Sequence, residues 1–118
     1  MKKVLNKNKE YFLVQTVPCG EQRGKFWVVY PPAVYPFAYE GIELFVHRPY
    51  SLFAEWDDFL WAVSEKKTGT SVIMYMDSPQ EAMQGAIDKF KGKGIDYIAK
   101  CKAIINDFTF ENGFKAKR

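Results

Sequence analysis

His47 is the only imidazole in the chain, and Cys19 and Cys101 are its only thiols. A nucleophile–base triad or a zinc site draws on more partners than these three side chains supply, and they stand far apart in sequence. A lone histidine near a strand end reads as a structural residue. Asp58, Glu65 and Lys67 in "DDFLWAVSEKK" follow the Asp…Glu-x-Lys order of metal-dependent nucleases. If 58–65 forms one strand, seven residues at ~3.3 Å each hold the two carboxylates roughly 23 Å apart. A Mg²⁺ ion binds its oxygen ligands at ~2.1 Å, so an extended segment cannot bring both to one metal. These residues are better read as a solvated acidic corner and a charged hairpin tip. "KGKG" at 91–94 lacks the GxxxxGK[ST] spacing and follows a helix rather than a strand. It reads as a helix C-terminus whose lysines complement the dipole. The expectation is a protein without catalytic residues, bound metal or cofactor, whose activity is binding.

The segment that most suggests binding is "YPPAVYPFAY" at 30–39. Its prolines remove backbone donors and fix φ, which predicts an extended loop or an excursion at a sheet edge rather than a central strand. Tyr35 follows Pro31 and Pro32 one position late for a Pro-Pro-x-Tyr ligand, and the segment holds no PxxP. Two readings remain. Val34, Tyr35, Phe37 and Tyr39 fold back as a lid over one end of the core, or stiffened aromatics are offered to a partner at small entropic cost. Residues 40–58 add Glu40, Glu43, Glu55, Asp57 and Asp58 against Arg48 alone, with Phe53 and Trp56 among them. A stiff, aromatic, acid-rimmed surface has the makings of a binding hot spot. The expected site for a protein partner with a basic surface is therefore Tyr35, Phe37, Tyr39, Glu55, Trp56, Asp57 and Asp58.

Charge supplies the alternative. The formal net charge is +3, yet Lys2, Lys3, Lys7, Lys9, Lys115, Lys117 and Arg118 lie at the two ends. Without those seven, 10 basic groups face 14 acids, so the body carries −4. Lys89, Lys91, Lys93, Lys100 and Lys102 face Asp96 alone across 89–102. These five lysines with the basic ends are the candidate surface for nucleic acid, with exposed Trp or Tyr stacking on bases. The acidic body and the absence of a recognisable DNA- or RNA-binding motif weigh against it.

The elements that must position these residues are legible from periodicity. The 118 residues, 47% hydrophobic and 26% charged, suit one globular domain with a core. The predicted strands are 11–17, 25–30, 42–47, 59–65 and 70–76. Pro18, Gly20 and Gly24 close the first, and "KKTG" with Gly69 at positive φ joins the last two. Residues 51–58 read as a helical turn capped by Ser51 or as a loop. Ser78, Pro79 and Glu81 make a strong helix start. Ala82, Met83, Ala86, Ile87 and Phe90 then form one apolar stripe, ended by Gly92 and Gly94. A second helix from Ile95 to Asp107 shows Ile98, Cys101, Ile105 and Phe108 on one side. Strands followed by helices predict an α+β single domain over 1–118: an antiparallel sheet of about five strands with two C-terminal helices packed on one face. Trp61, Val63, Val72, Met74, Met83, Ile87, Phe90, Ile98 and Ile105 are the predicted core, and "TFENGF" turns outward. Residues 1–8 and 115–118 are expected to be flexible basic tails.

"NKNKE" stands where a secretory leader needs an apolar run, and no stretch approaches a ~20-residue membrane span. A cytoplasmic protein with reduced thiols is expected; a Cys19–Cys101 disulfide and a homodimer both stay open.

"WAVSEKKTGTSV" followed by "SPQEA" resembles a short pattern in uncharacterised small proteins of phages and mobile elements. In that pattern a Trp strand turns through Thr-Gly into a second strand, and a Ser-x-x-Glu-Ala helix follows; it spans about residues 61–90 here. The resemblance implies a small cytoplasmic accessory protein that acts by binding. It carries no catalytic residues. The acidic–aromatic segment 30–58 and the missing catalytic constellation suggest an accessory factor or inhibitor, and the acidic patch with the small size makes an inhibitor of host defence one form of it.

Overall fold

A computed structural model describes residues 2–6, 12–16, 26–50, 55–108 and 114–116. The elements in chain order are β1 (Val4–Leu5), β2 (Val14–Thr16), β3 (Phe26–Val29), β4 (Ala33–Tyr39), β5 (Ile42–His47), β6 (Trp61–Glu65), β7 (Ser71–Met76), α1 (Pro79–Lys93), α2 (Ile95–Asp107) and β8 (Phe114–Ala116). Cys19, Phe53, the turn at Pro18, Gly20 and Gly24, the Ser51 cap, and most of "TFENGF" lie outside the described residues, as do residues 7, 8, 117 and 118.

The fold is α+β, with an antiparallel main sheet in the order β1-β4-β5-β6-β7. Its membership differs from the sequence expectation. β2 and β3 form a separate sheet with β8, in the order β2-β3-β8, and β3 pairs β8 in parallel. The proline segment and Val4–Leu5 take the vacated places in the main sheet.

How β4 tolerates Pro36 follows from its hairpin. Glu40 (φ 50) and Gly41 (φ 80) are both left-handed, as a two-residue type I′ turn requires. Tyr39 and Ile42 close that turn as a hydrogen-bonded pair, and the ladder alternates from there. Pro36, paired with Phe45, falls on a non-hydrogen-bonded position, so its missing N–H points away from β5. On that outer side β1 reaches only Ala33 and Val34. Pro36 thus stands on an open edge, which reconciles the proline with a strand. Pro31 and Pro32 are held by Asn6, whose Nδ2 donates to the Pro31 carbonyl at 2.9 Å and whose backbone N donates to Pro32 at 3.0 Å. Asn6 is itself buried and also donates to the Phe12 carbonyl. Residues 4–6 are therefore anchored in the fold, unlike the loose end the sequence suggests.

The main sheet is apolar on both faces. On one, Ile42, Leu44, Val46 and Val63 pack against Ala82, Ala86, Phe90 and Ile98 of the helices. On the other, Val34 and Phe45 pack against Val14 and Val29 of the small sheet and against Phe12, just ahead of β2. Of the predicted core, Val63, Phe90 and Ile98 are buried, while Trp61, Val72, Met83 and Ile105 are half-buried against the same cluster. Met74 and Ile87 are half-buried. β7 is the edge strand at the other side, and its two register shifts against β6, with Tyr75 at φ 63, leave an irregular edge ill suited to pairing with another strand.

α1 begins as its sequence dictates: Ser78 Oγ accepts from the Glu81 N–H at 3.1 Å and Pro79 opens the first turn. The helix runs through Gly92 and stops at Gly94, whose φ of 91 breaks it and whose N–H returns to the Phe90 carbonyl. The hairpin of β6 and β7 is tied by Glu65, whose carboxylate accepts from the Lys67 and Thr68 N–H groups at 2.7 and 2.8 Å. Gly69 at φ +73 completes that turn, and a Cβ there would lie 2.6 Å from Leu13 Cδ1 and 2.8 Å from the Leu13 carbonyl oxygen. Gln15 N–H bonds the Gly69 carbonyl at 2.9 Å, so the small sheet docks on this bare backbone. Gly69→Ala is expected to destabilise the fold by about 2–4 kcal/mol, from left-handed strain and from pushing β2 off the hairpin. Urea unfolding measures it, and a change below ~0.5 kcal/mol would show that β2 does not pack there.

Candidate functional site

Of the seven residues expected to face a protein partner, the four aromatics divide between the two faces of the main sheet. Tyr35, Phe37 and Tyr39 alternate onto the helix side, half-buried against the core. Tyr39 stacks on Phe90 at 6.1 Å and Tyr35 meets Trp61 edge-on at 5.7 Å. Trp56 packs on the opposite cluster, edge-on to Tyr50 at 4.7 Å and to His47 at 6.4 Å. Strand alternation separates what sequence proximity had joined. The aromatics of 30–39 therefore act as core, the lid reading in altered form.

Glu55, Asp57 and Asp58 remain near the surface, in the connection from β5 to β6. Tyr50 and Trp56 form an isolated antiparallel bridge, and the Asp57 N–H donates to the Pro49 carbonyl at 2.8 Å. Beyond it the chain turns sharply. Asp57 Oδ1 accepts from the Phe59 and Leu60 N–H groups, both at 2.6 Å. This is an aspartate capping its own turn. The Leu60 N–H first, then that of Phe59, holds the Asp57 carboxyl below the usual carboxylate range, and the Arg48 charge adds to it. Arg48 secures the exit of the turn: it donates to the Leu60 carbonyl at 3.3 Å, and its guanidinium lies 3.7 Å from the Trp61 ring centroid.

The turn lifts Phe59 into solvent, 82% exposed, between exposed Asp58 and half-buried Leu60. Sequence reasoning passed over Phe59 because it falls within the strand predicted at 59–65, whereas β6 begins only at Trp61. The signal was in the neighbouring acids: an Asp two and three residues ahead of free N–H groups favours a turn over extension.

His47 and Ser64 are brought together although neither had been paired in the sequence reading. Nδ1 lies 2.7 Å from the Arg48 carbonyl, which can only accept, so this nitrogen carries the proton. Nε2, 2.7 Å from Ser64 Oγ, then accepts from the hydroxyl. That is the bond order of a serine hydrolase pair. Here, however, His47 is 2% and Ser64 1% exposed, under Phe45 and Trp56. A substrate carbonyl has no path to the hydroxyl, and burial pushes the imidazole down to about 4. The pair is a polar bond inside the core.

The carboxylate–lysine series is also dispersed. Asp58 precedes β6 and Glu65 ends it, with the Glu65 oxygens turned to hairpin N–H groups. Among the described residues, no group of three or more His, Cys, Asp or Glu is placed to hold a metal ion. Of the five lysines in 89–102, three are drawn to local partners. Lys89 Nζ donates to the Val72 carbonyl at 2.8 Å, Lys93 lies over the Tyr97 ring at 5.4 Å, and Lys102 closes on the turn at Gly41. Lys91 and Lys100 are exposed. No helix among the described residues is long and apolar enough to cross a membrane.

No family model matches the chain, and no curated protein or solved structure matches it either.

Proposed function

We propose that this chain is a non-catalytic protein-binding module, and that it engages its partner through the turn at 55–60. The observation that carries the reading is Phe59, 82% exposed at the tip of a turn that Asp57 and Arg48 hold in place. Burial of a phenylalanine side chain by a partner contributes about 1.5–3 kcal/mol, and a pre-ordered one loses little freedom when it is covered. Asp58 and Glu55 flank it and are exposed, so the partner offers an apolar pocket rimmed by basic groups. The acidic–aromatic surface expected from sequence is retained, with Phe59 replacing Tyr35, Phe37 and Tyr39 as anchor. An accessory or inhibitor role in a phage or mobile element accords with the resemblance of residues 61–90.

Capture of the native partner tests this. Phe59→Ala is expected to weaken capture about thirtyfold, the effect of a hot-spot residue worth ~2 kcal/mol. Asp58→Asn with Glu55→Gln should reduce the association rate and its salt dependence. A triple Lys89→Gln, Lys91→Gln, Lys100→Gln variant should capture normally, with or without nuclease treatment. Loss of capture in the lysine variant alone, abolished by nuclease, would transfer the function to nucleic acid.

A further inference from the structure

α2 leans on α1 more than it lies on the sheet: Ile98 is its one residue buried in the main core. The space left between α2, the end of α1 and the β6–β7 hairpin is a cavity of about 540 Å³, within the size range of small-molecule sites. Its walls are apolar, formed chiefly by Val72, Phe90, Tyr97, Ile104 and Ile105, and Ile104 is 66% exposed. Lys89 and Lys100, both exposed, also line it. The Lys89 ammonium is moored on the carbonyl of Val72, itself a lining residue, at 2.8 Å, with two N–H groups unspent. Glu65 also borders the cavity, but both of its oxygens are taken by the Lys67 and Thr68 N–H groups.

We infer that this cavity binds a small amphipathic anion of the fatty-carboxylate class. The hydrocarbon chain lies along Val72, Phe90 and Ile105, and the carboxylate sits between Lys89 and Lys100. An apolar trough lined by two exposed lysines complements that ligand in both halves. A neutral hydrocarbon leaves the lysines unused, and a polar anion leaves the walls wet. The site is separate from the turn at Phe59, so either proposal stands or falls without the other.

Cys101 lines the cavity as a free, half-buried thiol and makes a built-in reporter. The experiment follows its alkylation by iodoacetamide in a Cys19→Ser background, with octanoate, decanoate and dodecanoate below their micelle concentrations. Cys101 should react in the unliganded protein and be protected at least tenfold by saturating decanoate. The apparent Kd should fall roughly fourfold per added methylene, since burying each contributes ~0.8 kcal/mol. Decanol should bind at least tenfold more weakly, and Lys89→Gln with Lys100→Gln should weaken decanoate about tenfold while leaving decanol unchanged. Both substitutions are at exposed positions, and circular dichroism verifies that the fold persists. A thiol already unreactive without ligand would mean the chain fills its own cavity, and the inference fails. It fails equally if no alkanoate protects, or if protection is indifferent to the lysines.

Discussion

Phe90→Ala is expected to lower the unfolding free energy by about 3–5 kcal/mol. For a chain of this length, that is a fall in Tm of about 12–20 °C. Phe90 is 4% exposed and links three elements: it packs in the cluster of β5, β6 and α1, stacks on Tyr39 of β4, and meets Tyr97 of α2 at 6.0 Å. Truncation removes its burial and opens a void beneath α2 that the Ile42, Leu44 and Ala86 neighbours are too fixed to close. A domain has only ~5–15 kcal/mol of stability to lose, so the variant should unfold at much lower urea. Phe90→Leu, which keeps most of the volume, should cost less than half as much. A loss under ~1 kcal/mol from Phe90→Ala would place α1 elsewhere on the sheet.

The second large effect is on pH. In the folded chain burial lowers the His47 pKa to about 4, whereas an exposed histidine titrates near 6.5. Between these values the unfolded chain binds a proton that the folded chain refuses. Stability from this group is thus complete above pH ~6.5 and lost as pH falls towards about 4. The loss amounts to roughly 3 kcal/mol over that window, at up to ~1.4 kcal/mol per pH unit. Carboxylates titrate in the lower part of the range, so the measurement is a difference. Urea unfolding of the parent chain and His47→Gln should be compared from pH 7.5 to 4.5. The variant lacks the titrating imidazole, and the gap between the two proteins should narrow by most of that amount. A gap independent of pH would show that His47 is solvated.

Local chemistry made several elements legible in advance. Ser78, Pro79 and Gly94 mark α1 because cap, fixed φ and left-handed stop act within one helical turn. The period of Ile42, Leu44 and Val46 marks the buried face of β5. Gly69 marks the hairpin because its φ must be positive. Each signal is carried by residues a few positions apart. For the same reason the sequence located the acids of 55–58 but gave no means of ranking Phe59 above Trp56: both are aromatic, and exposure depends on what covers them.

By itself, then, the sequence determined the α+β order, the two helices and their boundaries, the β6–β7 hairpin and the separation of acidic from basic stretches. Tertiary structure alone decided that residues 33–39 form a strand, because Pro36 is acceptable only where the neighbouring β1 is too short to reach it. It likewise decided that β2 and β3 leave the main sheet, that His47 meets Ser64, and that α2 stands off far enough to leave a cavity. These outcomes turn on pairings between residues distant in the chain. Period and composition say which face of an element is apolar; only the packed neighbours determine what that face is pressed against.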